Sequence, residues 1–323
     1  LKELHTYSVE VENTLNQLST DLNDGRIKWS DLDNSGISNA FATEVSSITS
    51  DSFSSLEENF HEYSGLIYDG AFSEHLTSSE KKGLTGDEIS EEQAKEKINE
   101  FYGSDKIEKI NYNGYYENAD IPCFDFSVKM KNEDTNFSVS ISKKGGHIIF
   151  SNYNRKVETE NISQEDADDI GKKFLEAHGY MNMKETYYLK QNGIVTVNYA
   201  YMEQASNGEN VVIYPDLIKL KIALDNGEVL GIETSGYLNS HYERNIVTDI
   251  ISKEDAQKNL NEKLEIMSSN LAIIPTEWQT EILCWEFKGK VDDNEFLVYV
   301  NAQTGKEEDV LVIVNTPEGT LTH

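Results

Sequence analysis

Ile89-Ser90-Glu91-Glu92-Gln93-Ala94, Ile162-Ser163-Gln164-Glu165-Asp166-Ala167 and Ile251-Ser252-Lys253-Glu254-Asp255-Ala256 are one phrase written three times. Each copy predicts a helix start. Ser stands at the N-cap, where its hydroxyl accepts from an orphan backbone N–H. Gln93, Asp166 or Asp255 follows three residues on, close to the capping-box pattern, and the flanking Ile and Ala suit a small hydrophobic staple. Acidic residues fill each first turn, where the helix dipole favours them. A single cap says little, but a phrase repeated three times with strand-like sequence after each copy predicts a tandem repeat.

Working outward, each phrase leads through strands to a glycine turn. The first helix carries Ala94, Ile98 and Phe101 and stops at Gly103; strands are predicted at Ile107–Tyr116, Cys123–Met130 and Phe137–Ser142, then Gly145-Gly146 and a return strand His147–Phe150. The second helix carries Ala167, Ile170, Phe174 and Leu175 and ends near His178-Gly179. Its strands are Thr186–Lys190, Ile194–Tyr201 and Ile218–Leu224, turning at Asp225-Asn226-Gly227, the strongest hairpin signal present. The third helix carries Ala256, Leu260 and Leu264, with strands at Thr280–Lys288, Glu295–Val300 and Val310–Val314 and a turn at Thr304-Gly305. Ser90 to Gly146, Ser163 to Gly227 and Ser252 to Gly305 are similar separations. One unit therefore reads as a helix packed on a small antiparallel sheet, an α+β module.

Residues 1–80 read differently. Leu4, Tyr7, Val11, Leu15, Leu18 and Leu22 step by three and four, as do Val45, Ile48, Phe53, Leu56, Phe60 and Tyr63 with one irregular step. Both stripes predict amphipathic helices and a helical N-terminal domain. Gly65-Leu66-Ile67-Tyr68-Asp69-Gly70-Ala71-Phe72-Ser73-Glu74-His75 follows, apolar and aromatic between glycines. It reads first as a buried connector and second as a partner contact. Tyr68, Asp69, Phe72 and His75 are its partner-interface candidates. The expected organisation is a helical domain with connector at 1–80 and three modules at 81–155, 156–245 and 246–323.

Composition narrows the function. The chain has 323 residues, 58 acidic against 28 basic, a net charge of −30 and a mean hydropathy of −0.56. That charge disfavours nucleic acid and anionic membrane, which demand Lys/Arg clusters. No apolar run approaches the roughly 20 residues of a membrane span. The chain begins at Leu1 rather than Met, so a fragment or processed form is expected, with a signal or anchor upstream left open. Cys123 and Cys284 lie in separate apolar strands and are expected as buried free thiols; two cysteines make no zinc site.

Reactive motifs are missing. There is no Gly-x-Ser-x-Gly elbow, no phosphate loop, no dinucleotide fingerprint and no His pair spaced for zinc. Asp292-Asp293-Asn294-Glu295 lacks EF-hand spacing and reads as a hairpin tip. A carboxylate pair for glycoside hydrolysis needs only spatial proximity, so abundant acid argues neither way. Catalytic residues, cofactors and metals are all expected to be none. The pattern fits a binding or inhibitory scaffold, and its exposed sheet edges could accept a strand from a partner.

The repeat resembles the PepSY domain family. The closer likeness, to the YpeB-like spore proteins within it, rests on Gly65–His75, on Ala223-Leu224-Asp225-Asn226-Gly227-Glu228 with Gly236-Tyr237-Leu238, His241 and Arg244, and on Val300–Glu308 with Gly319-Thr320-Leu321-Thr322. The resemblance covers essentially the whole chain. It implies a non-enzymatic spore protein that binds, stabilises and restrains a cortex-lytic enzyme of the SleB type until germination. It further implies export from the forespore to the outer side of the inner membrane, with membrane attachment only through an N-terminal anchor absent from this sequence. A protease inhibitor or propeptide-like chaperone is the alternative, and a homodimer stays open.

Overall fold

The computed structural model describes residue 72 and residues 81–131, 136–246, 249–276, 278, 280–316 and 319–322. The three phrases become three copies of one local geometry. Ser90, Ser163 and Ser252 cap α1 (Glu91–Tyr102), α2 (Gln164–Ala177) and, after the six-residue α3 (Ser235–Ser240), the short α4 (Lys253–Gln257). Each hydroxyl accepts from the backbone N–H three residues on, at 3.3, 3.0 and 3.1 Å. The capping box is complete only at α1, where Gln93 Oε1 accepts from Ser90 N–H. Ala94, Ala167 and Ala256 are fully buried beneath their helices.

The isoleucines tie each phrase to its turn. Ile89, Ile162 and Ile251 donate their backbone N–H to the carbonyls of Lys143, Leu224 and Ala302, at 2.8, 2.9 and 2.8 Å. Each acceptor lies three residues before Gly146, Gly227 or Gly305. These glycines have φ of 67°, 77° and 72°, the left-handed region. A Cβ on any of them would lie 3.0–3.2 Å from the Cδ1 of the corresponding isoleucine. The helix entry and the hairpin turn are thus one packed unit in each copy.

Among the described residues thirteen strands form one sheet: β1 (Ile107–Tyr116), β2 (Cys123–Met130), β3 (Asn136–Ser142), β4 (Ile148–Asn152), β5 (Met183–Gln191), β6 (Ile194–Gln204), β7 (Asn210–Ala223), β8 (Val229–Glu233), β9 (Glu265–Pro275), β10 (Glu281–Val291), β11 (Asn294–Asn301), β12 (Glu307–Thr316) and β13 (Gly319–Thr322). The order is β1-β2-β3-β4-β8-β7-β6-β5-β13-β12-β11-β10-β9, with a further parallel pairing of β7 to β9. That pairing bends the eight strands from β7 to β9 into a closed ring. β1 to β4 and β8 continue outward from the C-terminal half of β7 as an open wing.

Side chains on the ring strands alternate between two cores. Val212, Tyr214, Ala272, Ile274, Cys284, Leu297, Tyr299, Leu311 and Ile313 share the interior. Val211, Ile213, Leu271, Ile273, Trp285, Phe287, Val298 and Val300 face outward beneath Ala256, Leu260 and Leu264. A third core lies between the wing, the N-terminal half of β6 with the C-terminal half of β7, and helices α1 and α2.

Strands dominate the described residues, so the balance is more β than an even α+β mixture. The helical domain expected at 1–80 lies outside the described residues except for Phe72. The third helix ends at Gln257, and Leu260 and Leu264 pack from turns instead. β9 and the first half of β7 were not expected. They form the ring closure, and their pairing joins residues on either side of the expected 245/246 boundary.

Candidate functional site

Phe72 comes from outside the strands and fills the ring. It is 6% exposed, with ring centroids 5.3 Å from Tyr214 and 5.2 Å from Tyr299. Phe72 of the Gly65–His75 phrase is thus packed in the chain's own core. Tyr68, Asp69 and His75 lie outside the described residues.

Beside Phe72 the interior is polar. Tyr214 donates to Glu286 Oε2 at 2.6 Å, and Glu286 is 7% exposed. Desolvation, then the Glu286 charge, pushes the Tyr187 phenol well above its ordinary range, and the same two causes act on Tyr214. For Tyr299 desolvation again leads, followed by its neighbour Tyr214 and then Glu286. These phenols stay neutral hydrogen-bonding groups at any physiological pH. Cys284 shares this interior, and burial followed by the carboxylates of Glu308, Asp309 and Glu286 pushes its thiol up to about 12. Cys123 is also buried and free. Neither thiol is poised as a nucleophile.

The densest charge cluster sits where the ring closes. Arg244 makes a bidentate pair with Asp216, at 2.8 and 2.7 Å, and a second with Glu281, at 2.8 and 2.7 Å. Asp216 is fully buried and Arg244 is 9% exposed. The carbonyl of Ser240 accepts from Arg244 Nη2, and Tyr242 donates to Glu281. His241 Nδ1 lies 2.7 Å from Asp216 Oδ2, with its ring stacked on Tyr237. Burial would raise the Glu281 carboxyl, but Arg244 and the Tyr242 hydroxyl outweigh it and hold it below its ordinary value. Asp216 follows the last β7 residue paired to β9 by three positions, and Glu281 pairs with Pro275 of β9. Arg244 therefore clasps the parallel seam. An Asp–His pair suggests catalysis, yet among the described residues no hydroxyl or thiol hydrogen-bonds to the His241 ring, and Asp216 is saturated by Arg244.

A second carboxyl cluster lies under α2. Asp168 is 6% exposed, and Lys172 reaches its Oδ2. Gln164 donates to Glu185 Oε1 at 2.8 Å. Desolvation, then the charge of Asp168 and a hydrogen bond to it, pushes the Glu185 carboxyl up to about 7. Gly171 is required here, since a Cβ would meet the Tyr199 hydroxyl at 2.1 Å. Among the described residues no group of three or more His, Cys, Asp or Glu could hold a metal ion, and no helix is long and apolar enough to cross a membrane.

Two surface features stand out among the described residues. β1 ends the strand order, with Tyr112 39% and Tyr116 53% exposed. Trp278, at the turn between β9 and β10, is 85% exposed. Sequence reasoning missed Trp278 and the Arg244 clasp. His241 and Arg244 stood out only as part of a resembling phrase, with no signal for their partners.

Comparison with known proteins places this geometry. A family model described as YpeB sporulation, PepSY1 and PepSY2 domains matches residues 49–247, and one described as peptidase propeptide and YPEB domain matches 250–311. The chain is 29% identical over 326 residues to the sporulation protein YpeB of Bacillus subtilis, covering 98% of this chain and 69% of that one. It is 26% identical over 313 residues to the protein of the same name from Halalkalibacterium halodurans, covering 96% and 68%. The solved Bacillus megaterium YpeB C-terminal domain matches with a TM-score of 0.62 and 29% identity, covering 71% of this chain and 100% of that structure. The YpeB model spans well over half of the sequence, and the chain belongs to the YpeB family of sporulation proteins.

Proposed function

We propose that this chain is a non-catalytic sporulation protein that binds a cortex peptidoglycan-lytic enzyme of the SleB type, stabilises it and restrains it until germination. In this reading a helical N-terminal domain precedes three tandem PepSY modules. The protein acts in the spore on the outer side of the inner membrane, exported from the forespore and tethered by a segment upstream of this sequence. The observation that carries the reading is the family match across 49–247 and 250–311. The use of the buried charges supports it: Arg244, Asp216 and Glu281 saturate one another instead of facing a substrate.

The test mixes the purified chain with its cognate lytic enzyme and follows complex formation and release of fragments from isolated cortex. A complex that digests cortex more slowly than the free enzyme is expected. Digestion by the chain alone would make it an enzyme, and no complex with unchanged lysis would refute the restraint.

A further inference from the structure

The β9–β10 hairpin ends in a tryptophan that the fold does not use. Trp278 is 85% exposed, whereas Trp285 in the stem of the same hairpin is 7% exposed. Thr276 and Thr280 bridge the base of the turn. Thr276 N–H donates to the Thr280 carbonyl at 2.8 Å, and the two threonine hydroxyls lie 2.7 Å apart. Thr276 Oγ1 also accepts from the backbone N–H of Trp278 and of Thr280. The base is fixed as well. Glu281, the first residue of β10, is held by Arg244 and by the hydroxyl of Tyr242. Tyr242 is itself 37% exposed, with Lys82 Nζ and Arg244 Cζ each 4.2 Å from its ring centroid.

We infer that Trp278 is the anchor of a protein–protein contact, inserting into an apolar, indole-sized pocket with a basic rim on a partner protein. The inference rests on the proposed function in naming the lytic enzyme as that partner. An exposed indole at a hairpin turn bridged by Thr276 and Thr280 fits a concave site. Trp, Tyr and Arg are the residue types that dominate interface energetics. The basic rim follows from the charge of this chain, −30 overall, with Glu243 exposed next to Tyr242. The same charge argues against an anionic lipid surface, which recruits Lys/Arg clusters. It argues equally against a second copy presenting the same acidic surface.

The experiment uses the full chain as wild type, Trp278→Ala and Trp278→Phe, with circular dichroism and urea unfolding to show an unchanged fold. Binding to the purified lytic enzyme is measured by calorimetry. Trp278→Ala is expected to weaken it at least 30-fold and Trp278→Phe by less, on the scale of an interface hot spot at about 1.4 kcal/mol per factor of ten. In chain labelled with 5-fluorotryptophan, the 19F signal missing from Trp278→Ala should shift on complex formation. Wild-type binding matched within twofold by a folded Trp278→Ala overturns the inference and leaves the proposed function standing. Failure of the wild type to bind overturns both. Trp278-dependent self-association in sedimentation, or Trp278-dependent binding to phosphatidylglycerol vesicles, overturns the assignment to a partner protein.

Discussion

Glu185 makes the stability of this chain depend on pH in a window where ordinary carboxylates do not titrate. Its carboxyl on β5 rises from an ordinary 4.5 to about 7, first by desolvation and then by the buried Asp168 on α2. Lys172 and Gln164 oppose that rise without cancelling it, and Asp169 and Tyr199 complete the titratable surroundings. A carboxyl raised in the folded state stabilises while it stays protonated, so its contribution is full below pH 4.5 and is lost as pH rises through 7. The full displacement corresponds to roughly 3.4 kcal/mol at 1.36 kcal/mol per pH unit. Glu185 is only partly buried, so solvent screening reduces this to about 1.5 kcal/mol, most of it lost between pH 5 and pH 8.

Urea unfolding at pH 5, 6, 7 and 8, for wild type and Glu185→Gln, measures this directly. Glutamine keeps the size and a hydrogen-bond donor toward Asp168 but carries no charge. The wild type should lose ~1.5 kcal/mol more than the variant across the range, because all other titrations are common to both. The variant should therefore be the more stable protein at pH 8 and nearly equal at pH 5. Amide protection in α2, corrected for the base-catalysed intrinsic rate, should fall with pH in the wild type alone. Parallel stability curves, or a wild type that gains on the variant with rising pH, would refute the account of a Glu185 carboxyl raised by burial beside Asp168.

Arg244→Met should cost about 3–5 kcal/mol, because it strands the fully buried Asp216 without its cation; chemical unfolding checks the size, and amide exchange at Val211–Ile213 should rise first. Ser163→Ala removes the acceptor for Asp166 N–H and should cost ~1 kcal/mol of unfolding free energy, with Ser163→Asp restoring it. Phe72→Ala should cost about 3–4 kcal/mol, and native-state labelling of Cys284, a member of the same interior cluster, should accelerate at pH 8. A Phe72→Ala chain with unchanged stability would show that the ring interior does not depend on that side chain.

Much of the local fold was legible, for identifiable reasons. Ser90, Ser163 and Ser252 announce their helices because a cap is a short-range interaction between a hydroxyl and an amide three residues away. Gly146, Gly227 and Gly305 announce their turns because positive φ narrows the choice of residue. β1 and β2 begin and end where periodicity places them. β9 escaped because its first half is polar and exposed, while Leu271–Pro275 is buried between two cores and shows no alternation. The partners of Arg244 escaped for a different reason. With 58 carboxylates available, no spacing singles out Asp216, 28 positions away, or Glu281, 37 positions away.

The closure of the ring shows how these hidden contacts bear on the fold. Among the described residues two of its seams are short: β7 meets β9 over three residue pairs, and β13 meets β5 at Gly319↔Leu189. Backbone pairing this short contributes little by itself, since each hydrogen bond adds only about 1 kcal/mol net. The first seam is clasped by Arg244 between Asp216 and Glu281. Within the ring, Phe72 packs on Tyr214 of β7 and Tyr299 of β11, strands that are not neighbours in the sheet order. The ion cluster and the inserted side chain thus supplement the two cores where the strand pairing is short. The ion cluster also puts the hairpin that carries Trp278 on the clasp itself, because Glu281 is both a ligand of Arg244 and the first residue after the hairpin tip. A partner gripping Trp278 therefore pulls on the residue that holds β10 to the seam, so the contact surface and the closure of the ring are mechanically one element.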